Sequence, residues 1–344
     1  MIDALLIHII KIAVVLGAVL TIVAYAVLWE RWICAWIQDR LGPNRVGPRG
    51  VLQPMADGLK FVFKEDVIPR HVNRFYYVLA PLFSMSPALL TVAVVPWGSV
   101  LPVAGHEVRC VIADLNVGIL FVFAIASLGV YGIVLGGWSS NSKYPFLGGI
   151  RSSAQMISYE VCLGLSVAPV FMQVGSLNLG QIVEYQARYG WLAMYPIQWL
   201  SCFIFMISGF AETNRLPFDL PEAEQELVGG YHTEYSSMKF AMFFLGEYAA
   251  MFLVSALMVT LFLGGWSLPF APFNAPAKTL VVGLAHIGIF MGKVMALLFV
   301  FIWVRWTLPR FRYDQLMGLG WKVFIPLTIL NIVLAGAVLA LLEA

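Results

Sequence analysis

The residues of this 344-residue chain that could carry proton chemistry are acids placed where acids are rare. Glu160 and Glu247 lie inside apolar stretches, and Glu30 and Glu212 stand at the ends of two others. Charge in hydrocarbon is costly, so an ionisable side chain there is a functional candidate by default. Between residues 212 and 234 six acids, Glu212, Asp219, Glu222, Glu224, Glu226 and Glu234, face one base, Arg215. Crowded carboxylates share protons and some titrate nearer neutrality than an isolated acid, which suits a proton relay. Lys293 is a further charge deep in an apolar stretch. Plainer readings exist: Asp219 as a helix N-cap with Glu222 three residues on, and a structural ion pair between Glu247 and Lys293. Capping leaves Glu224 and Glu226 unexplained, and Glu222 and Glu226, four apart on a helix, would repel.

Other chemistries find less support. The four cysteines, Cys34, Cys110, Cys162 and Cys202, are far apart and form no C-x-x-C, so neither an iron–sulfur nor a zinc site can be argued, and no metal is expected. The five histidines show no pairing that would hold a haem between helices. Gly136-Gly137 and Gly148-Gly149 are too short for phosphate loops and read as turns or close helix contacts. A net charge of only +2 gives no reason to expect nucleic acid.

The elements that must position these acids are membrane spans. Hydrophobic residues make up 60% of the chain and charged residues 12%, a balance for which the solvent is lipid. A span takes about 20 apolar residues. Eight stretches qualify: Ala4–Trp29, Phe75–Pro96, Leu115–Gly137, Ser153–Val174, Trp191–Ala211, Phe240–Gly264, Leu280–Val304 and Val323–Leu342. Pro81 and Pro87 should kink or tilt the second. The N-terminal apolar run is too long, and lacks the small-residue cleavage pattern, for a signal peptide. The expected fold is all-α: one polytopic membrane domain over residues 1–344, with no internal repeat. Lys and Arg set its orientation. The loops 30–74, 138–152, 212–239 and 305–322 hold sixteen of them, and the three alternate loops one each, Arg109, Arg188 and Lys278. The first set should face the cytoplasm, with both termini outside. Glu160, nine residues past Arg151, and Glu247, eight past Lys239, then lie about 12 to 13 Å deep from the cytoplasmic side. Asp114, at the outward edge of span 3, reads as simply solvated.

The first cytoplasmic loop carries another element. In Val51–Lys64 the residues Leu52, Met55, Leu59 and Phe63 repeat at helical spacing, and Gln53, Asp57, Lys60 and Lys64 repeat on another face. That is an amphipathic helix lying in the membrane interface, too short to span. The turn-rich segment before it presents Arg40, Arg45 and Arg49.

Four cytoplasmic segments, Glu30–Asp66, Gly148–Glu160, Ala211–Tyr248 and Arg305–Lys322, carry motifs such as ERWICAWIQDRLGPNRVGPRG and AETNRLPFDLPEAEQELVGGYHTEY. In them the chain closely resembles the family of the H subunit of bacterial NADH:quinone oxidoreductase, the mitochondrial NADH dehydrogenase subunit 1. Together they cover about a third of the chain, in the right order. It departs from the family's usual Lys, Gly and Asn at Trp32, Ala223 and His232.

The resemblance implies a proton-translocating respiratory complex in the bacterial inner membrane. Quinone, with ubiquinone expected, is the substrate, and NADH, FMN and the iron–sulfur clusters belong to peripheral-arm partner subunits. Antiporter-like pump modules are further membrane partners. Glu30, Arg31, Arg40, Gln53, Asp57, Arg215, Phe244 and Arg305 would line or brace a quinone tunnel from the bilayer. Glu160, Glu212, Asp219, Glu222, Glu224, Glu226, Glu247 and Lys293 would form the relay that couples quinone chemistry to pumping. The groups that protonate quinone belong to a neighbouring subunit, so this chain alone should have no turnover. Two alternatives stay open: the matching subunit of a membrane-bound hydrogenase or ferredoxin-linked complex, and a stand-alone cation transporter. A purely structural anchor would leave the deep acids unexplained.

Overall fold

A computed structural model describes residues 2–103, 106–221, 224–269 and 274–343. The chain runs through α1 (Ile2–Ile37), α2 (Gln53–Phe63), α3 (Arg74–Thr91), the hairpin β1 (Val100–Val103) and β2 (His106–Arg109), α4 (Gly118–Ala126), α5 (Leu128–Ser139), α6 (Lys143–Val174) and α7 (Leu179–Tyr189). It continues through α8 (Pro196–Glu212), α9 (Glu224–Leu227), α10 (Ser237–Phe262), α11 (Leu280–Thr307), α12 (Tyr313–Gly318) and α13 (Ile325–Glu343). A π-helical segment, Leu319–Phe324, joins the last two. Among the described residues seven helical stretches are long and apolar enough to cross a membrane, and the 17 residues of α8 form an eighth apolar helix of about 26 Å. The fold is all-α and polytopic.

The bundle closes around α10, whose residues from Met251 to Phe262 are all buried. A helix apolar on every side is one enclosed by other helices. Small residues let the neighbours approach at backbone distance. A Cβ on Gly132 of α5 would lie 2.5 Å from the Ser84 nitrogen of α3. One on Gly137 would lie 2.4 Å from the Pro145 carbonyl oxygen of α6, and one on Gly148 2.8 Å from the Tyr231 nitrogen. The paired glycines are thus close-contact points, the second of the two roles read for them.

Side chains tie the loops into two separate ends. At one end Lys239 pairs with Asp66 at 2.5 Å, Arg151 with Glu226 at 2.8 Å and Arg310 with Asp219 at 3.0 Å. At the other, Trp191 Nε1 donates to the Ser267 carbonyl and Asn274 Nδ2 to the Ala187 carbonyl. The amphipathic α7 covers that second end, with Leu179, Ile182, Val183 and Gln186 buried at helical spacing and Asn178 capping its first turn. Nothing in its composition marks it as more than loop, because its apolar face is only one residue in three or four.

Several helices run past the ends of their apolar runs. α1 continues beyond Trp29 to Ile37, and α6 begins at Lys143, ten residues before Ser153. Glu30 and Arg31 look like a span's end, but both are good helix formers and find partners inside the protein. The N-cap read at Asp219 needs Glu222, which lies outside the described residues. The short α9 is described from Glu224, and the Asp219 carboxylate accepts from Arg310.

Candidate functional site

The C-terminal end of α1 turns Val27, Glu30, Arg31 and Cys34 to one side, at the i, i+3, i+4, i+7 spacing of a helix face. That face borders two adjoining clefts. One, of about 430 Å³, is lined by Glu30, Arg31, Arg40, Phe244, Tyr248 and Arg305. The other, of about 630 Å³, lies between α1, α2 and α10 and is lined by Arg31, Gln53, Asp57, Phe61 and Phe244 among mainly apolar residues. Val27, Arg31 and Phe244 border both. Asp57 on the polar side of α2 accepts from Arg31 Nη1 at 2.8 Å and Gln53 Nε2 at 3.2 Å, and Lys60 Nζ stands 3.7 Å away.

Behind the first cleft the charges become buried. Glu30, 5% exposed, accepts from Arg305 Nη1 and, at 2.6 Å, from the Tyr248 hydroxyl. Arg215, equally buried, stands 3.7 Å from Glu30 through Nη1 and 3.8 Å from Glu247 through Nη2. Its guanidinium lies over the Tyr248 ring at 4.3 Å. Tyr231 donates to the other Glu247 oxygen at 2.9 Å. Arg215 therefore bridges two buried carboxylates, and Arg305 supplies the second positive charge that balances them.

Glu247 also lines a cavity of about 90 Å³, room for a few waters. Glu160 and Glu212 line the same cavity, with Ser84, Asn214 and Tyr231 among mostly apolar neighbours. One Glu212 oxygen, Oε2, is buried with no hydrogen-bond partner among the described residues. α3 passes this cavity at Pro87, whose missing N–H leaves the Phe83 carbonyl without its helical donor. Asp219 lies beyond Arg215, in the loop after α8. Burial pushes its carboxyl up to about 6 and Glu247 adds to the push, while Arg310 pulls it down.

The NADH dehydrogenase family matches residues 10–336. An H subunit of the NADH-quinone oxidoreductase of Geobacter metallireducens is 50% identical over 97% of this chain and 97% of its own length. The H subunit from Ehrlichia chaffeensis is 52% identical over 96% of this chain and 89% of its own, and subunit 8 of Rhodothermus marinus 49% over 95% of each. The chain belongs to the NADH dehydrogenase family.

In this member of the NADH dehydrogenase family, seven of the eight residues assigned to the tunnel line one or both clefts: Glu30, Arg31, Arg40, Gln53, Asp57, Phe244 and Arg305. The eighth, Arg215, stands behind them in the ion cluster. Of the residues assigned to the relay, Glu160, Glu212 and Glu247 line one cavity, and Asp219, in the loop outside it, feels the charge of Glu247. Glu222 and the Glu224 side chain lie outside the described residues. Glu226 is exposed and pairs with Arg151 at 2.8 Å, away from the cavity. Its α9 sits on the surface of α6, where a carboxylate gains more from a solvated arginine than from burial.

Lys293 is the clearest displacement. Its ammonium donates to the carbonyls of Leu263, Gly265 and Ser267 at 2.7, 2.8 and 2.5 Å and lies over the Trp191 ring at 4.3 Å. These carbonyls belong to the turn that follows α10, so Lys293 of α11 holds that turn in place. It belongs to the end of the bundle opposite Glu247, and neither the ion pair nor a place beside the cavity is formed.

Three members of the cluster are not singled out by the sequence: Tyr248, Tyr231 and Arg310. Tyr248 follows Glu247 directly and stands four residues past Phe244, a weak signal that its ring shares a face with the cleft. Tyr231 and Arg310 give none.

Proposed function

We propose that this chain, as the H subunit of an NADH:quinone oxidoreductase, admits quinone from the bilayer and passes the electrostatic consequence of its reduction to a buried proton path. Ubiquinone is the quinone we assign. It enters between α1, α2 and α10 past Phe244, and its headgroup comes to rest in the cleft of Glu30, Arg31, Arg40 and Arg305. NADH, FMN and the iron–sulfur clusters sit in peripheral subunits docked over the same end, and antiporter-like membrane subunits do the pumping. The complex lies in a bacterial inner membrane, with both termini of this chain periplasmic. An impermeant thiol reagent that labelled Leu41→Cys in intact cells would reverse that orientation.

The observation that carries the reading is continuity. An apolar-walled cleft open beside an interfacial helix leads to a polar one, then to Glu30, then through Arg215 to Glu247, and so to a cavity holding two further acids. Quinone reduction consumes protons, which a peripheral subunit supplies. A change of charge at the headgroup acts first on the Glu30–Arg305 pair. Arg215, shared between Glu30 and Glu247, then leans towards one carboxylate as it leaves the other. The carboxylate it leaves is less stabilised as an anion and takes up a proton. Relay through waters in the cavity brings Glu212 and Glu160 into the same exchange.

Asp57→Asn tests the entry step. Losing the charge-assisted bond to Arg31 should lower NADH:quinone turnover by about tenfold, with electron transfer to a soluble artificial acceptor intact, since that acceptor draws electrons upstream of quinone. Equal loss of both activities would remove the support for a role at the tunnel.

A further inference from the structure

At the end of α1 away from Glu30 lies a third cavity, of about 560 Å³, between α1, the β1–β2 hairpin and α11. It falls within the roughly 300–1,000 Å³ of small-molecule sites and shares no residue with the clefts or the acid-lined cavity. Its wall is aliphatic, with Val14, Ala18 and Ile22 on one face of α1 and Ile287 and Met291 on α11. Its mouth carries the cations Lys11 and Arg109.

We propose that this groove holds one anionic phospholipid, its acyl chain along α1 and α11 and its phosphodiester at Lys11. Two observations choose this occupant over a helix of a neighbouring subunit. First, the lining is polarised, apolar along its length and cationic at one end, which matches a lipid's single charged head. Second, the Lys11 ammonium donates to the Val111 carbonyl at 2.6 Å and has no ion-pair partner among the described residues, which leaves donors for a phosphate. The neighbouring Cys110 does not neutralise it, because burial pushes that thiol up to about 11. Trp97 also lines the groove and is 6% exposed. Arg109 donates to Asp114 at 2.8 Å, and Asp114, exposed as expected, also accepts from Asn178 at 2.6 Å. The leaflet follows from the orientation proposed above and would be the outer one. The site itself does not depend on that orientation.

The test uses the intact complex, stripped of loosely held lipid and supplied with phosphatidylglycerol carrying a diazirine in one acyl chain. After illumination, adducts mapped by mass spectrometry should fall on the peptides spanning residues 7–22 and 287–291 of this chain. Excess unlabelled phosphatidylglycerol should compete them away and phosphatidylcholine should not. Lys11→Met should weaken that competition by about fivefold, the worth of one cation near a charged headgroup. Trp introduced by Ala18→Trp should abolish the adducts by filling the groove. Adducts that phosphatidylcholine removes equally well would mean general annular lipid and would overturn the proposal. So would no adduct on those peptides in the unmodified complex, whatever the variants do.

Discussion

Two of the places where this protein buries charge within the bundle solve the problem in opposite ways. Lys293 is satisfied by three backbone carbonyls at the end of α10 and has no carboxylate beside it among the described residues. Glu30, Arg215, Glu247 and Arg305 satisfy one another and border space that water or a ligand can fill. Carbonyls cannot take up a proton, so the first site holds a single titratable group. Carboxylates sharing a guanidinium can exchange both proton and partner, so the second has several. Burial of a charge marks a costly site, and only its connection to titratable neighbours and to a cavity marks one that can relay.

The comparison breaks most visibly at Arg215. Arg215→Met leaves Glu30 and Glu247 buried around a missing cation, which should cost about 3–5 kcal/mol. Assembled complex should fall sharply, and what remains should lose quinone-linked turnover while artificial-acceptor activity per complex persists. Complex yield and the two activities check this together.

Asp219 gives a smaller effect with a defined sign. Its carboxyl titrates near 6 in the fold against 3.8 ordinarily, so the folded state penalises the ionised form. Below pH 4 it is protonated in both states and there is no penalty. As pH rises through 6 the fold loses up to about 3 kcal/mol from this group. The midpoint of thermal dissociation of the complex should therefore drop between pH 4 and 6, and Asp219→Asn should flatten that part of the profile. An unchanged slope would place the titration elsewhere.

Lys293→Met should cost less, about 2 kcal/mol, because three carbonyls lose a charged donor while a buried cation is also removed. The complex should dissociate at a lower temperature, yet turnover and pumping per assembled complex should change less than twofold. Normal stability with lost pumping would put Lys293 back in the relay.

How far these sites are legible from sequence depends on what each charge is paired with. The spans announce themselves as apolar runs, and the amphipathic α2 as two interleaved periodicities. Glu30 and Arg31 can be seen, but not the continuation of α1 that carries them into the cluster, because a charged pair after an apolar run looks like an end. Tyr248 and Tyr231 are lost among the aromatic residues expected at the membrane interfaces. Lys293 is misplaced because its partners are backbone carbonyls, which no side-chain letter reports. Glu226 looks like one of a crowd of acids until its partner, Arg151, comes from another helix. Contacts within one helix follow from spacing. Contacts between helices need the packing.

The decisive measurement is proton translocation per quinone reduced in complexes carrying Glu247→Gln. The amide keeps the shape and can still accept from Tyr231, but it cannot pass a proton. We expect near-normal assembly and artificial-acceptor activity, with quinone reduction and pumping both reduced at least tenfold. Adding Lys293→Met should restore nothing, since the two side chains occupy different ends of the bundle. Full pumping by Glu247→Gln, or recovery on adding Lys293→Met, would contradict a relay through the Arg215-bridged acids.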